Sequence, residues 1–260
     1  MRRRLEQPGL NRAPCKDALK PARISAKSHK NQRDSRCIKV CLSPPRSITR
    51  ADGETTCMLP YDVILFDVGG VLLTNGWDHG ERAAAIEAFQ IDKDDFERRH
   101  ADIDGQWERG EITMEAYLDV TVFHQPRSFS RDDFAAFIFN QSKILPSSGL
   151  GSLQQLASGG RYLVGALNNE ARETNEFRFE TFGLRNYFKI ALSSCYLGLR
   201  KPDEAIYRRA LDILGVPPHR ILFIDDREEN IAPAGAIGMA TIHFKGASEL
   251  QAKLTKEGVL

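Results

Sequence analysis

From Tyr61 onward the chain alternates short apolar runs of strand length with stretches of helical periodicity, and this alternation limits its possible folds more than any other feature. The runs are VILFDV (63–68), YLVGAL (162–167), KIALSS (189–194), ILFIDD (221–226) and ATIHF (240–244). Helical patterns lie near 170–181, 203–214 and 228–236. Strands apolar on both faces and separated by helices imply a parallel sheet covered on both sides, because parallel neighbours need crossover connections. The expected class is α/β, a doubly wound Rossmann-like parallel sheet.

About 90 residues separate the first two runs, far more than one crossover requires. GERAAAIEAF, DDFERRHADIDGQWERG, TMEAYLDVTVF and RDDFAAFIF within this gap each place apolar residues at helical spacing. Four helices inserted there would form a cap beside the carboxyl end of the first strand, able to close over a ligand. A further helix over Gly149 to Ser158 leads into the second strand. The expected organisation is a core of residues 59–75 and 146–260 with a helical cap at 76–145.

Residues 1–58 mix Arg, Lys, Pro, Ser and Gly without periodicity and are expected to be disordered, for want of apolar area to offset ordering entropy. Three origins fit this segment: an unstructured tail, an Arg-rich targeting peptide, or translated upstream sequence before a start at Met58. The last is preferred, since Met58 stands just before the first strand. The segment carries 14 Lys/Arg against 5 Asp/Glu, which leaves 22 against 30 for the rest. A mildly acidic body argues against a nucleic-acid partner. No apolar stretch approaches the roughly 18–20 residues that span a bilayer, so no membrane partner is expected and a cytoplasmic location is. Cys15, Cys37, Cys41 and Cys57 lie in the basic segment and only Cys195 in the patterned region, which is no disulfide framework. Cys37, Cys41 and His29 lack a second ligand pair for a metal and read as incidental.

In open α/β sheets ligands bind outside the carboxyl ends of the strands, so the residues there are the first to weigh. The first strand ends on Asp67, the second on Asn168 and Asn169, and the fourth on Asp225 and Asp226; Lys201 follows the third after a short loop. Each alone could be a turn or helix cap. Together they gather three carboxylates, two amides and an ammonium on one rim. Acids so placed repel unless a cation sits among them, and hard oxygen ligands suit Mg²⁺. Lys201 would then face an anion, and a phosphate meets both demands. Gly69 and Gly70 let the loop backbone approach it closely. The glycines do not match the dinucleotide pattern G-x-G-x-x-G.

These stretches resemble the motifs of the haloacid dehalogenase-like hydrolases, most of which are Mg²⁺-dependent phosphatases. FDVGGVLLT is similar to the first motif, GLRKPDEAIY to the third and FIDDREENI to the fourth, in order, over about residues 61–245. The insertion resembles the family's type 1 helical cap, and QWERGEITMEAY a stretch in members related to sugar-phosphate phosphatases. The resemblance implies that Asp67 attacks phosphorus to form an aspartyl-phosphate. It implies Mg²⁺ held by Asp67, Asp225, Asp226 and the carbonyl of Gly69, and Lys201 neutralising the phosphate. Asn168 and Asn169 would contact the phosphate of a small phosphorylated metabolite. Oligomeric state stays open.

Two positions depart from the pattern. The second Asp of the first motif, an acid–base catalyst worth typically about 10²- to 10⁴-fold, is replaced by Gly69. Asn168 stands where Ser or Thr is usual. A cap residue could supply the lost proton, with Asp78, His79 and Glu108 as candidates by location. Two other readings stand beside the phosphatase: a catalytically impaired binding protein, which both departures favour, and a 2-haloacid dehalogenase, which the paired acids Asp225 and Asp226 disfavour.

Overall fold

The computed structural model describes residues 59–260. The expectations for residues 1–58, including disorder and the roles of their cysteines and His29, lie outside the described residues.

Five strands form one parallel sheet: β1 (Val63–Phe66), β2 (Leu163–Ala166), β3 (Ile190–Ala191), β4 (Ile221–Asp225) and β5 (Ala240–His243). Their order is β3-β2-β1-β4-β5, which sets β1 between β2 and β4. Phe66 pairs with Ala166 on one side and Ile224 on the other, so the three central strands end level with one another. Alternate residues face opposite ways. Ile64, Phe66, Val164 and Ile224 join one buried layer, while Val63, Leu65, Ile221 and Phe223 join the other.

Helices cover both layers, as parallel strands buried on two faces require. In chain order the helices are α1 (His79–Phe89), α2 (Lys93–Glu108), α3 (Met114–Thr121), α4 (Arg131–Asn140), α5 (Leu150–Gly159), α6 (Arg172–Thr181), α7 (Ser194–Leu197), α8 (Glu204–Leu214), α9 (Glu228–Ala236) and α10 (Ala247–Lys256). Leu153 and Leu156 of α5 and Leu250 and Leu254 of α10 pack on the first layer. Ile206, Tyr207 and Ala210 of α8 and Ile231 and Ala234 of α9 pack on the second. The described residues contain no helix long and apolar enough to cross a membrane.

Helices α1–α4 enclose an apolar centre of their own, including Ala85, Phe96, Trp107, Tyr117 and Phe134. Side chains satisfy the first free N–H groups of each. Asp78 and Glu81 form a reciprocal capping box on α1, Ser130 and Asp133 one on α4, and Asp92 and Thr113 cap α2 and α3. The two connections to the core are bonded to each other: Thr74 donates its N–H to the Lys143 carbonyl (2.8 Å) and its hydroxyl to that of Gln141 (2.7 Å). Beneath them the buried Arg178 of α6 pairs with Glu170 and donates to the Thr74 carbonyl.

The third apolar run makes a shorter strand than its length suggests. Only Ile190 and Ala191 join the ladder, at the edge of the sheet. After them Ser194 donates its N–H to the Asn168 carbonyl (2.9 Å) and the chain turns into α7. An edge strand has one partner, so its side-chain and turn bonds compete more easily with the ladder.

Candidate active site

The apolar face residues carry β1 to Phe66, and the next residue still belongs to the ladder through its backbone, Asp67 N–H donating to the Ile224 carbonyl at 2.8 Å. The residue is only 8% exposed, and Oδ1 accepts from the Val68 N–H at 2.7 Å. The chain then turns sharply, with the Leu72 and Leu73 N–H groups both donating to the Val68 carbonyl (3.0 and 2.9 Å). Gly70 sits in this turn at φ +69°, a conformation side chains other than glycine's rarely adopt. A Cβ there would lie 2.1 Å from Asp226 Oδ2, so the loop and the end of β4 touch because position 70 has no side chain.

Because β1 and β4 are neighbours, Asp67 meets Asp225 and Asp226, and one oxygen of each lies within 4.8 Å of the others. Lys201 binds two of them, its Nζ lying 3.0 Å from Asp67 Oδ1 and 2.6 Å from Asp225 Oδ2. Lysine and Asp225 are both essentially sealed from solvent, at 2% and 0% exposure. Asp225 also accepts from the Asn230 amide (3.0 and 3.1 Å) and from the Arg227 N–H (2.8 Å). Asn230 is not among the site residues expected from the sequence, although it is the penultimate residue of the FIDDREENI stretch.

Electrostatics follow from this crowding. Burial pushes the Asp67 carboxyl up to about 7; Lys201 opposes the rise, and Asp225 and Asp226 add to it. Burial also raises Asp226, with Asp225 as the next cause. Burial disfavours the charge on Lys201, yet Asp67 and Asp225 hold its ammonium above the usual value. Asp226 Oδ1 is buried with no hydrogen-bond partner. Such an atom lacks the partner that a buried carboxylate needs. An all-oxygen donor set with an unpartnered carboxylate oxygen fits a hard divalent cation such as Mg²⁺.

The two amides at the end of β2 take different places. Asn169 lines the cavity, and its side chain clamps the lysine loop, donating to the Lys201 carbonyl and accepting from the Lys201 N–H, both at 2.8 Å. The Asn168 side chain, 1% exposed, turns inward instead. Its Nδ2 donates to Asn175 Oδ1 (2.9 Å) and its Oδ1 accepts from the Ser193 hydroxyl (2.8 Å). Its amide is thus committed within the core, outside the cavity wall.

Above the acids lies a cavity of about 470 Å³ between the sheet's carboxyl edge and helices α1 and α2. Asp67, Gly69, Asn169 and Lys201 form its floor, while Arg82 of α1 and Glu97, His100, Asp104 and Glu108 of α2 face it. Two core arginines reach across: Arg227 to Asp78 at 2.7 Å, and Arg200 to Glu108 at 3.2 Å and Asp104 at 3.5 Å. Tyr117 accepts from the Trp77 indole (2.8 Å) and lies 2.9 Å from His100 Nδ1, so its hydroxyl proton is free to bond that nitrogen. Arg82 and His100 are not marked by the sequence because helical periodicity shows a buried face but not which polar residues face a cavity, and Arg227 precedes α9 outside any periodic stretch.

Residues 61–238 match the family model described as haloacid dehalogenase-like hydrolase. Drimenol cyclase drtB of Aspergillus calidoustus is 27% identical over 161 residues, which cover 60% of this chain and 30% of that protein. Sesquiterpene phosphatase astK of Aspergillus oryzae is 26% identical over 194 residues, 71% of this chain and 90% of that one. Among solved structures, the HAD family enzyme BT-2542 from Bacteroides thetaiotaomicron, in complex with magnesium and inorganic phosphate, matches with a TM-score of 0.61 at 23% identity. That match covers 72% of this chain and 95% of BT-2542, and at such identity it speaks to the fold alone. The chain spans less than a third of the length of drimenol cyclase and of several other curated relatives.

Proposed function

The chain belongs to the haloacid dehalogenase-like hydrolases, and from that premise we propose that it is a Mg²⁺-dependent phosphatase of small phosphorylated metabolites. The observation that carries the reading is the meeting of Asp67, Asp225 and Asp226 around Lys201, with Asp67 and Lys201 on the floor of a polar cavity. Three acids so close would hold a divalent cation, and that cation together with the buried ammonium suits a substrate whose own charge is negative and multiple.

Asp67 is the nucleophile. One of its carboxylate oxygens forms a bond to phosphorus as the bond from phosphorus to the ester oxygen breaks; water then attacks the aspartyl-phosphate and restores the carboxylate. Lys201, 3.0 Å from Asp67, lowers the charge that the approaching phosphate meets and opposes the protonation of Asp67 that burial favours. Asn230 and the Arg227 N–H hold Asp225 in place. Asn169 holds the lysine loop, so its contribution to phosphate binding is made largely through Lys201. Mg²⁺ held by Asp67, Asp225, Asp226 and the Gly69 carbonyl would supply charge neutralisation for the transferring phosphoryl group. In this reading the protein acts in the cytoplasm, on small molecules rather than nucleic acid or membranes.

Halide displacement from carbon needs no cation, so three converging carboxylates favour phosphoryl transfer over haloacid dehalogenation. The test is turnover of a broad phosphate-ester panel with Mg²⁺ and with chelator, alongside Asp67→Asn. Hydrolysis that needs both Mg²⁺ and Asp67 is expected. Halide release from haloacetates without Mg²⁺ would overturn the reading in favour of a dehalogenase. Phosphate-ester binding without turnover by the folded protein would favour a binding role.

A further inference from the structure

The position two residues after the nucleophile carries no side chain, and the space above it is taken. A Cβ on Gly69 would lie 3.1 Å from Asn75 Oδ1, and an amide has no proton to give at neutral pH. A leaving oxygen more basic than a phenolate therefore needs its proton from elsewhere in the cavity.

The protic groups of the cap differ sharply in what they can supply. Burial tends to raise Asp78, but the His79 N–H it accepts at 2.8 Å and the Arg227 guanidinium hold its carboxyl below the usual range, as an anion. His79 is exposed, and its Nδ1 lies 2.8 Å from Arg82 Nη2. Glu97 is occupied by Arg82 at 3.1 Å. Burial pushes His100 down to about 4, so its imidazole is neutral and a poor acid.

Glu108 is different. It ends α2 at the cavity wall, and its backbone is fixed to the core, the Ser194 hydroxyl donating to its carbonyl at 2.6 Å. Its Oε2 is buried without a hydrogen-bond partner, although Arg200 Nη1 stands 3.2 Å away. Side-chain exposure is 31%, although Oε2 itself is sealed from solvent. We propose that Glu108 is the acid–base residue of this site, giving a proton to the leaving-group oxygen and taking one from the hydrolytic water. This rests on the phosphatase reading above.

The charges around Glu108 suit the task. Burial pushes its carboxyl up to about 7; Arg200 opposes this, Glu170 and Asp104 add to it, and Arg227 opposes it more weakly. Near neutrality a large fraction of molecules therefore carries the proton. In the first step the electron pair of the broken ester bond goes to the leaving oxygen, which takes the Glu108 proton and departs as an alcohol. In the second, water oxygen bonds to phosphorus, its proton goes to the Glu108 carboxylate, and the Asp67–phosphorus bond breaks to release inorganic phosphate. Both protons and both bonds then balance as ester plus water to alcohol plus phosphate.

The experiment measures kcat/KM for aryl and alkyl phosphates from pH 5 to 9 in the full chain, in Glu108→Gln and in Arg200→Met. Glu108→Gln is expected to lower alkyl esters by about 10²- to 10⁴-fold and aryl esters by less than about tenfold, and to steepen the dependence on leaving-group basicity. The alkaline fall in alkyl turnover should vanish with it, and in Arg200→Met it should move to higher pH, because removing a nearby cation makes the carboxyl a weaker acid. Equal losses for aryl and alkyl esters, no loss at all, or an alkaline limb that stays in place in Arg200→Met would overturn the proposal. Aryl turnover that still requires Asp67 in that case would leave the phosphatase reading standing.

Discussion

Replacing Lys201 by Met tests whether one ammonium holds the acidic floor together. Its Nζ lies 3.0 Å from Asp67 and 2.6 Å from Asp225, all three nearly solvent-free, and Met matches the length of the stem. Breaking a buried pair from one side leaves charge uncompensated, at a cost of about 3–5 kcal/mol. For a folded body of this size each kcal/mol moves Tm by roughly 2–4 °C, so the metal-free protein should melt about 6–20 °C lower at pH 8. Burial raises Asp67 to about 7 in the fold, above its unfolded value of about 4. That contribution to stability is therefore complete below about pH 4 and is lost as pH rises through 7. Without Lys201 the folded value climbs further, more is lost at pH 8, and the penalty of the substitution shrinks on acidification. Thermal unfolding in chelator at pH 5 and pH 8 reads this directly. Mg²⁺ should recover part of the loss, since a cation then stands where the ammonium stood. An equal fall at both pH values, or one under about 2 °C at pH 8, would refute the view that charge compensation is the role of Lys201 in stability.

Asp226→Asn removes an oxygen that has no hydrogen-bond partner, so metal-free Tm should hold or rise while Mg²⁺-dependent hydrolysis falls to background; turnover like the natural protein's would take Asp226 out of the site. Gly70→Ala forces a Cβ at φ +69° to within 2.1 Å of Asp226 Oδ2. It should cost about 1–2 kcal/mol from backbone conformation alone and raise the Mg²⁺ concentration for half-maximal turnover; an unchanged Mg²⁺ titration would mean the loop does not set the carboxylate. His100 is lowered by burial to about 4, below its unfolded value of about 6.5, so its contribution is present above pH 6.5 and is lost as pH falls through 4, worth roughly 1–2 kcal/mol after allowance for partial exposure. In His100→Phe the dependence of Tm on pH between 4 and 6.5 should therefore flatten, and a slope equal to the natural protein's would show that this histidine titrates normally.

Much of the floor of the site was legible in the sequence, because a parallel sheet puts every strand's carboxyl end on one edge. Asp67 and the pair Asp225 and Asp226 close apolar runs that can only be strands, so they share that edge whatever the strand order. The alternation of short apolar runs with helices, and the long helical insertion after the first of them, likewise follow from local periodicity. Lys201 lay in view because it closely follows the third apolar run, although helix α7 and the loop after it, not a short loop alone, carry it to the same rim. The order β3-β2-β1-β4-β5 is another matter: it makes Asp67 and Asp225 direct neighbours, and it comes from how the crossover helices pack over the sheet. Side-chain direction also waited on the tertiary structure. Asn168 lies two residues past the end of β2, and Ser193 and Asn175, 25 and 7 residues away, satisfy its amide in the core, while Asn169 beside it reaches the lysine loop. Helical spacing marked the apolar face of α2 but could not say that Glu108 would stand at the cavity wall with Oε2 buried and without a hydrogen bond. Local sequence determined which residues end strands and which faces are apolar, since those depend on neighbours along the chain; the tertiary structure decided which polar groups meet and which carry protons, since desolvation and charge act through distance in space.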